Sequence, residues 1–494
     1  MPNWNSSLTW LTCGSKWVYG KPKLPEPITA MNSFFRRLVL GKLAARVVKP
    51  AIMTTPNVSR LVVGIIIGLG SPALQAQEVI ELPSQDILIE PTFDEVYRVG
   101  VVEGESWEMF TRVSKVAFDA EGSIYIFDAG GGALDSELRI VVFDRNGAFL
   151  REFGSAGEGP GEFRIPTTYG VMRDGTTIIG DMGHRAYLIF DASGHFQRAV
   201  RLRMGSTASG NRGAGTTVGA TVVQELHVDP RGGTVYSTEG QRVLIGSLGG
   251  SEMPADHRPI YRHTLNSEET ETETMARAWR PTRDPKRDVV EASGNNLVTI
   301  EGSDGQAMSL RDVFSGMTRP ATFEPRTLMG VLPDGSIVYS DSTVYTLKVV
   351  AGDDRGQLRI IVRNSFRPVP VTSRIEEIYT RKRAEMQEQN NDRSSSSVSF
   401  SLEEARFYPV IPVVQELATT WEGRIWVMRL GGQEVLEDGP IDVLTVQGEY
   451  VGTYPAAVTK FPDAFGPDGL AAFIELDDFD VPSVVVRRLP TRVR

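Results

Sequence analysis

Residues 113–154 read VSKVAFDAEGSIYIFDAGGGALDSELRIVVFDRNGAFLREFG. Four short runs of β-branched and aromatic residues alternate here with segments rich in Asp, Asn and Gly. Such runs are typical of β-strands, and an Asp or Asn followed by Gly supplies the positive φ that a tight hairpin needs. Gly122 and Gly147 stand in segments of this kind. The stretch therefore predicts an antiparallel meander of four strands.

The same order of runs and turns returns at residues 168–200, which read TYGVMRDGTTIIGDMGHRAYLIFDASGHFQRAV. Phe143 and Phe190 are 47 residues apart, and so are Gly147 and Gly194. Weaker copies of a strand, a Gly-containing turn and a second strand begin near residues 226, 329, 417 and 465. Self-similarity at a fixed period indicates a repeat architecture in which each copy packs against its neighbours.

Six copies predict an all-β fold, a six-bladed β-propeller of four-stranded antiparallel blades over residues 78–494. One meander cannot bury both of its faces, whereas a closed ring of meanders buries both and leaves few exposed sheet edges. The last copy lacks a fourth strand before Arg494. We therefore expect Ile87–Ile89 or Val96–Val99 to complete that sheet and close the ring.

The repeats resemble those of the NHL family, whose order of strands and turns is met here by residues 122–154. The segment GEGPGEFRIP, residues 157–166, is similar to the connection between blades in that family. The resemblance is close over residues 113–202, weaker over 326–364 and slight elsewhere. It implies a six-bladed propeller of the kind found in exported bacterial proteins.

The first 76 residues differ in composition from the rest of the chain, with nine Lys and Arg residues and one acidic residue, Glu26. Arg60 precedes the apolar run Leu61–Leu69, and small residues follow up to Ala76. This order is typical of a secretory signal peptide, here residues 53–76, with cleavage near Ala76. The alternative, a membrane anchor, needs about 20 apolar residues, roughly twice this run. The pattern predicts a periplasmic or extracellular protein with no transmembrane segment in its mature part.

Residues 1–52 are interpreted as a doubtful leader, because a signal peptide would begin naturally at Met53, with Met31 as another possible start. Without the first 76 residues the net charge changes from −10 to about −18. So acidic a chain argues against nucleic acid or anionic lipid as its partner. The single cysteine, Cys13, also lies in the removed part, which excludes a disulfide or a thiol nucleophile from the mature protein.

Long insertions are expected on one side of the ring. In a blade with strands a to d, the b–c hairpins and the connections between blades lie together, on what we call the loop-rich rim. Ala129–Glu137 enlarges the first b–c hairpin, and insertions are predicted at about 203–221, 247–295 and 365–411. The last contains an amphipathic pattern over Arg374–Met386 that predicts a short helix. Loops of this length are usually functional or mobile, so this rim is the candidate binding face.

Candidate site residues were sought where strand b ends. Asp residues recur at this position in three copies, Thr238 and Arg429 take it in two others, and two basic residues follow the second Asp. A ring of such side chains at the channel mouth would suit a cation or a polar ligand. In the alternative, each Asp caps its own hairpin or pairs with a nearby Arg such as Arg139 or Arg185. The candidate set is Asp128, Asp181, His184, Arg185, Asp341 and Arg429.

Motifs of known catalytic sites are missing from the mature sequence. It contains no P-loop, no Rossmann glycine pattern, no G-x-S-x-G elbow and no H-E-x-x-H. No cofactor is predicted, although a calcium site or a zinc site assembled from different blades stays open. The five histidines are His184, His195, His227, His257 and His263.

Two functions remain open for an exported propeller. The first is a monomeric binding module that holds an unidentified protein or a polar small molecule through its loop-rich rim. The second is an enzyme, a metal-assisted lyase or a lactonase-like hydrolase, with its site at the central channel. The fold does not choose between them, because propellers serve both purposes. The lack of a catalytic motif favours the binding module.

Overall fold

A computed structural model of the protein contains six blades of four antiparallel strands, one of which carries a fifth, parallel strand. They confirm the predicted six-bladed propeller. The structure describes residues 78–129, 138–181, 183–202, 218–222, 225–238, 241–245, 257–282, 299–301, 307–309, 321–352, 358–393, 406–431 and 437–494. The predicted leader, the signal peptide and nearly all of Ala129–Glu137 lie outside the described residues.

Strands a to d of each blade pair with their neighbours in that order. In blades 1 to 3 they are Val113–Phe118, Ile124–Asp128, Arg139–Phe143 and Phe149–Phe153; Pro166–Val171, Thr177–Asp181, Ala186–Phe190 and Phe196–Arg201; and Leu226–Val228, Thr234–Thr238, His257–Thr264 and Glu271–Trp279. In blades 4 to 6 they are Leu328–Val331, Ile337–Ser340, Thr346–Val350 and Leu358–Val362; Val414–Thr419, Arg424–Arg429, Ile441–Thr445 and Tyr450–Tyr454; and Ala464–Phe465, Leu470–Leu476, Pro482–Arg488 and Asp94–Val99.

The core consists of interfaces between blades, because strand side chains point alternately to the two faces of a sheet. In blade 1, Ile124 and Ile126 pack against blade 6, whereas Tyr125 and Phe127 pack against blade 2. Strand b of this blade is accordingly buried at all five positions. One apolar cluster occupies each of the six interfaces between neighbouring blades. The ring is therefore closed.

An N-terminal strand completes the last blade. Asp94–Val99 pairs antiparallel with Pro482–Arg488 and serves as strand d of blade 6, so the second of the two predicted closing segments forms this strand. The first also joins a blade, since Leu88 forms a parallel bridge with Thr453 of blade 5. An unexpected strand, Glu78–Glu81, lies parallel to Leu358–Val362 and widens blade 4 to five strands.

The predicted hairpin turns are also present. Gly122 and Gly147 have φ values of 82° and 84°, in the left-handed region that favours glycine. Their backbone N–H groups donate to the carbonyl oxygens of Asp119 and Asp144 at 3.1 and 3.0 Å. The a–b connections of all six blades and the c–d connections of blades 1 to 5 are only four to seven residues long. They form the opposite side of the ring, which we call the short-turn rim.

The loop-rich rim carries connections of a different length, the longest being 280–327 and 363–413. The second contains the helix, Ser373–Arg393, which continues beyond the predicted segment Arg374–Met386 because no Gly or Pro interrupts the polar residues that follow. Short strand pairs also occur in the connections of this rim. They are Val218–Val222 with Gln241–Ile245, Thr299–Glu301 with Ala307–Ser309, and Val369–Pro370 with Val410–Ile411.

The helix is fastened to the neighbouring connection by aromatic contacts. Tyr379 packs edge-on against Phe323 and Phe407, with ring centroids 5.3 and 5.7 Å apart. Backbone hydrogen bonds join the same segments, since Thr322 N–H donates to Arg406 and Tyr408 N–H donates to Thr322. Two long connections thus form one structure on the loop-rich rim.

The predicted insertion at 247–295 differs from the structure. His257–Thr264 and Glu271–Trp279 lie inside it and form strands c and d of blade 3. The second of these strands reads ETETMARAW, and its alternation of Thr with charged residues hides the apolar signal by which strands were recognised. It is an outer strand with one solvent-exposed face, where such residues are tolerated.

Closure by the N-terminal strand is testable with Val99→Asp. Val99 is 8 % exposed and belongs to the cluster between blades 6 and 1. A carboxylate there should reduce the free energy of unfolding by about 3 kcal/mol, as measured by urea denaturation. The control is Val79→Asp in the added strand, where Val79 is 61 % exposed, with an expected effect within about 0.5 kcal/mol. Equal losses in the two variants would show that closure does not carry stability.

Candidate functional site

The Asp residues at the ends of strands b are buried, and their carboxylates accept hydrogen bonds from neighbouring segments. Asp128 accepts hydrogen bonds from the backbone N–H groups of Thr111 and Arg112 at 3.2 and 2.8 Å. Arg139 Nη2 lies 3.5 Å from its Oδ2. Asp181 accepts equivalent bonds from Arg164 and Ile165 at 2.8 and 3.1 Å. In both blades the carboxylate holds the segment that leads into strand a, which is a local role.

Asp341 has a related position in blade 4 but different partners. It accepts a 2.7 Å hydrogen bond from Trp279 N–H, at the end of blade 3, and binds Lys348 Nζ at 2.7 and 2.9 Å. His184 lies beside Asp181, with Nδ1 3.3 Å from Oδ1, and Arg185 is exposed at a φ of 56°. Thr238 of blade 3 is buried.

Arg429 belongs to a buried network of alternating charges. Its Nε donates to Asp442 Oδ1 at 3.1 Å, and its Nη2 binds Asp86 of the N-terminal segment. Arg363, which is 0 % exposed, donates to the same two carboxylates at 2.8 Å each. Phe366 covers both guanidinium groups, at 4.0 Å from Arg429 and 4.8 Å from Arg363. Burial would lower the pKa of Arg363, but Asp442 outweighs it and raises that pKa.

The structure joins two of the six predicted residues directly. Among the described residues, only Asp181 and His184 of that set share a hydrogen bond or ion pair. Asp128, Asp341 and Arg429 belong to separate networks that fix a strand entry, a neighbouring blade and the N-terminal segment, whereas Arg185 is exposed. Strand b carries these residues into the space between blades, where a polar group must find a partner.

The central channel is bounded instead by strands a. The first strands of blades 1, 2, 3, 4 and 5 contact one another in that order. The first strand of blade 6 contacts that of blade 1. In blades 1, 2 and 5 this strand has a register shift at its second residue, namely Ser114, Thr167 and Gln415. Such bulges commonly redirect side chains beside functional sites.

Blade 3 contributes an acid and a histidine to the channel. His227 Nε2 lies 3.7 Å from Glu225 Oε2, and the two side chains are 28 % and 39 % exposed. Burial alone would raise the pKa of Glu225. Its interaction with His227 and the positive charges of Lys115 and Arg326 outweigh that effect and lower the pKa to about 2. Residues of blades 1, 3 and 4 thus act on one carboxylate.

Blade 6 contributes a carboxyl group, Asp463, whose pKa is raised rather than lowered. Burial raises the pKa of Asp463 to about 7, although Ile474 N–H donates to its Oδ2 at 2.7 Å. The negative charge of Glu416, in strand a of blade 5, adds to the rise, and Lys460 opposes it. A carboxyl group that titrates near neutral pH is suited to proton transfer, which is the observation that favours a channel enzyme.

The prediction missed these channel residues because it followed the repeated Asp at strand b. Glu225 and Asp463 immediately precede strand a, and Arg326 stands two residues before it, in a part of the blade where the repeats differ from one another. A charged residue at the entry of an otherwise apolar innermost strand was the available signal. Within the described ranges, no group of three His, Cys, Asp or Glu could hold a metal ion. None of the helices described there is long and apolar enough to span a membrane.

Comparisons with known proteins identify the fold. Residues 93–208 match the family model described as "DUF5128: 6-bladed beta-propeller". None of the curated proteins matches the chain in sequence. Among solved structures, a candidate exported protein from Bacteroides fragilis is 12 % identical with a TM-score of 0.38, and the match covers 84 % of this chain and 99 % of that one.

A member of the DUF4221 family from Bacteroides vulgatus is 10 % identical with a TM-score of 0.43, and the match covers 81 % of this chain and 98 % of the other. A luciferin-regenerating enzyme is also 10 % identical, with a TM-score of 0.32, over 82 % of this chain and 97 % of its own length.

The buried charge network predicts a large effect of Asp442→Asn. Loss of this carboxylate leaves Arg363 and Arg429 with half of their acidic partners in a buried place. The free energy of unfolding should fall by about 3 kcal/mol. Asp468→Asn is the matched control, because its pair with Arg145 is 65 % and 51 % exposed and should contribute less than about 1 kcal/mol. Similar losses in urea denaturation would contradict the proposed difference.

The raised pKa of Asp463 predicts a pH-dependent gain from Asp463→Asn. The unfolded carboxyl group ionises near 3.8 and the folded one near 7, so the wild type loses stability as the pH rises between these values. The variant does not titrate there. Its free energy of unfolding relative to the wild type should rise by on the order of 4 kcal/mol from pH 4 to pH 8.

Asp191→Asn should behave in the opposite sense. Backbone N–H groups, of His195 first and then of Ser193, lower the pKa of Asp191, so its carboxylate stabilises the fold above about pH 4. Relative to the wild type, this variant should lose stability as the pH rises to about 4 and then stay nearly unchanged from pH 4 to pH 8. A flat difference between Asp463→Asn and the wild type from pH 4 to pH 8 would contradict the raised pKa.

Proposed function

We propose that the protein is an exported binding module that holds a partner protein on its loop-rich rim. The observation that carries this proposal is the distribution of exposed apolar side chains. Seven large apolar residues that are at least 38 % exposed lie on this rim, and among the described residues none lies in a turn of the short-turn rim. The seven are Val101, Val102, Met109, Trp279, Val344, Val458 and Phe479.

Four of the seven occur where blade 6 meets blade 1. Val101, Val102 and Met109 lie in the connection between these blades, and Phe479, 83 % exposed, lies in the b–c hairpin of blade 6. The connection begins beside strand c, which follows this hairpin, since a Cβ on Gly100 would lie 2.8 Å from the carbonyl oxygen of Pro482. An exposed apolar patch on a rigid ring is the expected form of a protein-binding surface.

The energetic case rests on the same side chains. Covering one large apolar side chain stabilises a complex by about 1.5–3 kcal/mol, and a few central anchors supply most of the affinity of an interface. Phe479 stands at the tip of a five-residue hairpin, 477–481, whose backbone is fixed by Asp477 accepting hydrogen bonds from Phe479 and Val481. It therefore enters binding with little conformational freedom to lose. The signal-like segment at 53–76 supports a partner outside the cytoplasm.

The test compares two double variants as bait. Phe479→Ser with Val102→Ser alters the patch, and Leu150→Ser with Val79→Ser alters exposed apolar residues on outer strands. Proteins cross-linked to each bait in envelope extracts are quantified by mass spectrometry. A partner should be recovered with the wild type and the outer-strand variant and reduced about tenfold with the patch variant. Equal recovery with all three baits, or loss with the outer-strand variant alone, would contradict the proposal.

A further inference from the structure

A contact between Arg173 and Trp421 crosses the ring instead of following it around. Arg173 lies in the a–b turn of blade 2, and Trp421 lies in the a–b turn of blade 5. Arg173 Cζ is 4.5 Å from the centroid of the Trp421 ring, and Arg173 Nη2 donates to the Trp421 carbonyl oxygen at 3.4 Å. In a ring of six, blades 2 and 5 are opposite one another, with two blades between them on either side. The two side chains therefore meet across the channel, at its end on the short-turn rim.

The indole of Trp421 has further neighbours at this end of the channel. It packs against the apolar cluster between blades 6 and 1, to which Phe118 and Leu470 belong. Phe118 is the last residue of strand a in blade 1, and Leu470 is the first residue of strand b in blade 6. Although Trp421 stands in a turn, its side chain is only partly exposed. One indole thus joins blade 5 to blade 2 and to the interface between blades 6 and 1.

The turns that carry the two side chains are tied to neighbouring blades. Ala120 N–H of blade 1 donates to the Arg173 carbonyl oxygen at 2.7 Å. Beside Trp421, Glu422 Oε1 accepts a hydrogen bond from Gly469 N–H of blade 6 at 3.0 Å. Both partners of the contact are therefore held from the side as well as by each other.

The contact itself is favourable. Trp presents the best ring for a guanidinium, and the attraction grows when the cation is withdrawn from water. The Arg173 guanidinium is partly withdrawn in this way, because burial lowers the pKa of Arg173 while the negative charge of Glu422 opposes that shift. The pair is expected to stay closed for most of the time.

We propose that Arg173 and Trp421 form the floor of the central channel. The channel is then a blind cavity, closed at the short-turn rim and open at the loop-rich rim. Glu225 and Asp463, which immediately precede strands a, stand at the open end, where molecules entering from solution meet them first. Any small molecule that exchanges with the channel passes the long connections of the loop-rich rim. This inference does not depend on the proposed partner protein, because it concerns the opposite rim.

The test measures the access of a thiol reagent to cysteines placed along strand a of blade 5. This strand begins at the loop-rich rim with Val414 and ends at the short-turn rim with Thr419. Ala418→Cys places a thiol near the floor, and Gln415→Cys places one near the open end; both positions are partly exposed. Each is made in the full chain with Cys13→Ser, which removes the only natural thiol. The rate of modification by a charged methanethiosulfonate is followed by mass spectrometry.

Removing the floor should open a second and shorter path to position 418. Trp421→Ala should raise the modification rate of the thiol there about tenfold and leave the rate at position 415 within about twofold. Arg173→Ala keeps the indole and should raise the rate at position 418 by about threefold. This second variant keeps the test valid if Trp421→Ala does not fold.

Arg145→Ala is the matched control, since Arg145 is a half-exposed arginine in a c–d turn of the same rim. It should leave both rates unchanged. An unchanged rate at position 418 in the folded floor variants would overturn the proposal. An equal rise at positions 415 and 418 would also overturn it, because it would indicate a general loosening of the ring.

Discussion

The structure depends on strands that are apolar on both faces. Ile124 and Ile126 on one side of a sheet and Tyr125 and Phe127 on the other must both be covered, and a neighbour is needed on each side. A row of such sheets would leave two apolar faces open at its ends. Closing the row into a ring removes both ends, and six interfaces for six blades are the result. Because each interface is apolar, charged groups near it must be paired, as Asp442 is with Arg363 and Arg429.

The two rims differ because they face different constraints. On the short-turn rim every connection is a tight hairpin, and its length is limited by turns such as those at Gly122 and Gly147. On the loop-rich rim the chain must also cross from one blade to the next, and there it accepts segments as long as 363–413 without disturbing any interface. Exposed apolar residues and channel charges both occur on this second rim, so recognition can change there while the ring stays the same.

Much of the fold could be predicted because turn glycines and apolar strands recur in order. Phe143 and Phe190 mark the same place in two blades, and both are buried against a neighbouring blade. Strand d of blade 3 was missed because an outer strand needs little apolar surface, and its sequence ETETMARAW reads as polar. Strand Glu78–Glu81 was missed because a parallel addition at a sheet edge leaves no repeat in the sequence.

The candidate site was harder to predict for a physical reason. Repetition identifies residues that every blade needs, and Asp128 and Asp181 are of that kind because each holds a strand entry. Glu225 and Asp463, whose pKa values are strongly shifted, stand at positions in which the blades differ, and a single sequence offers no repeat by which to recognise them. Only the ring brings together residues that are far apart in the chain.

Closure of the ring also affects the rate of folding. Arg98 and Ser483, which are joined by a hydrogen bond in the final blade, are 385 residues apart in the sequence. Contacts of such high sequence separation make folding slow, because the entropy of a large loop is lost before the contact forms. During synthesis, strand Asp94–Val99 emerges early and has to wait for its partner with an unpaired edge. The ring can close only after Pro482–Arg488 has been made, and until then the unpaired edge remains open to chaperones.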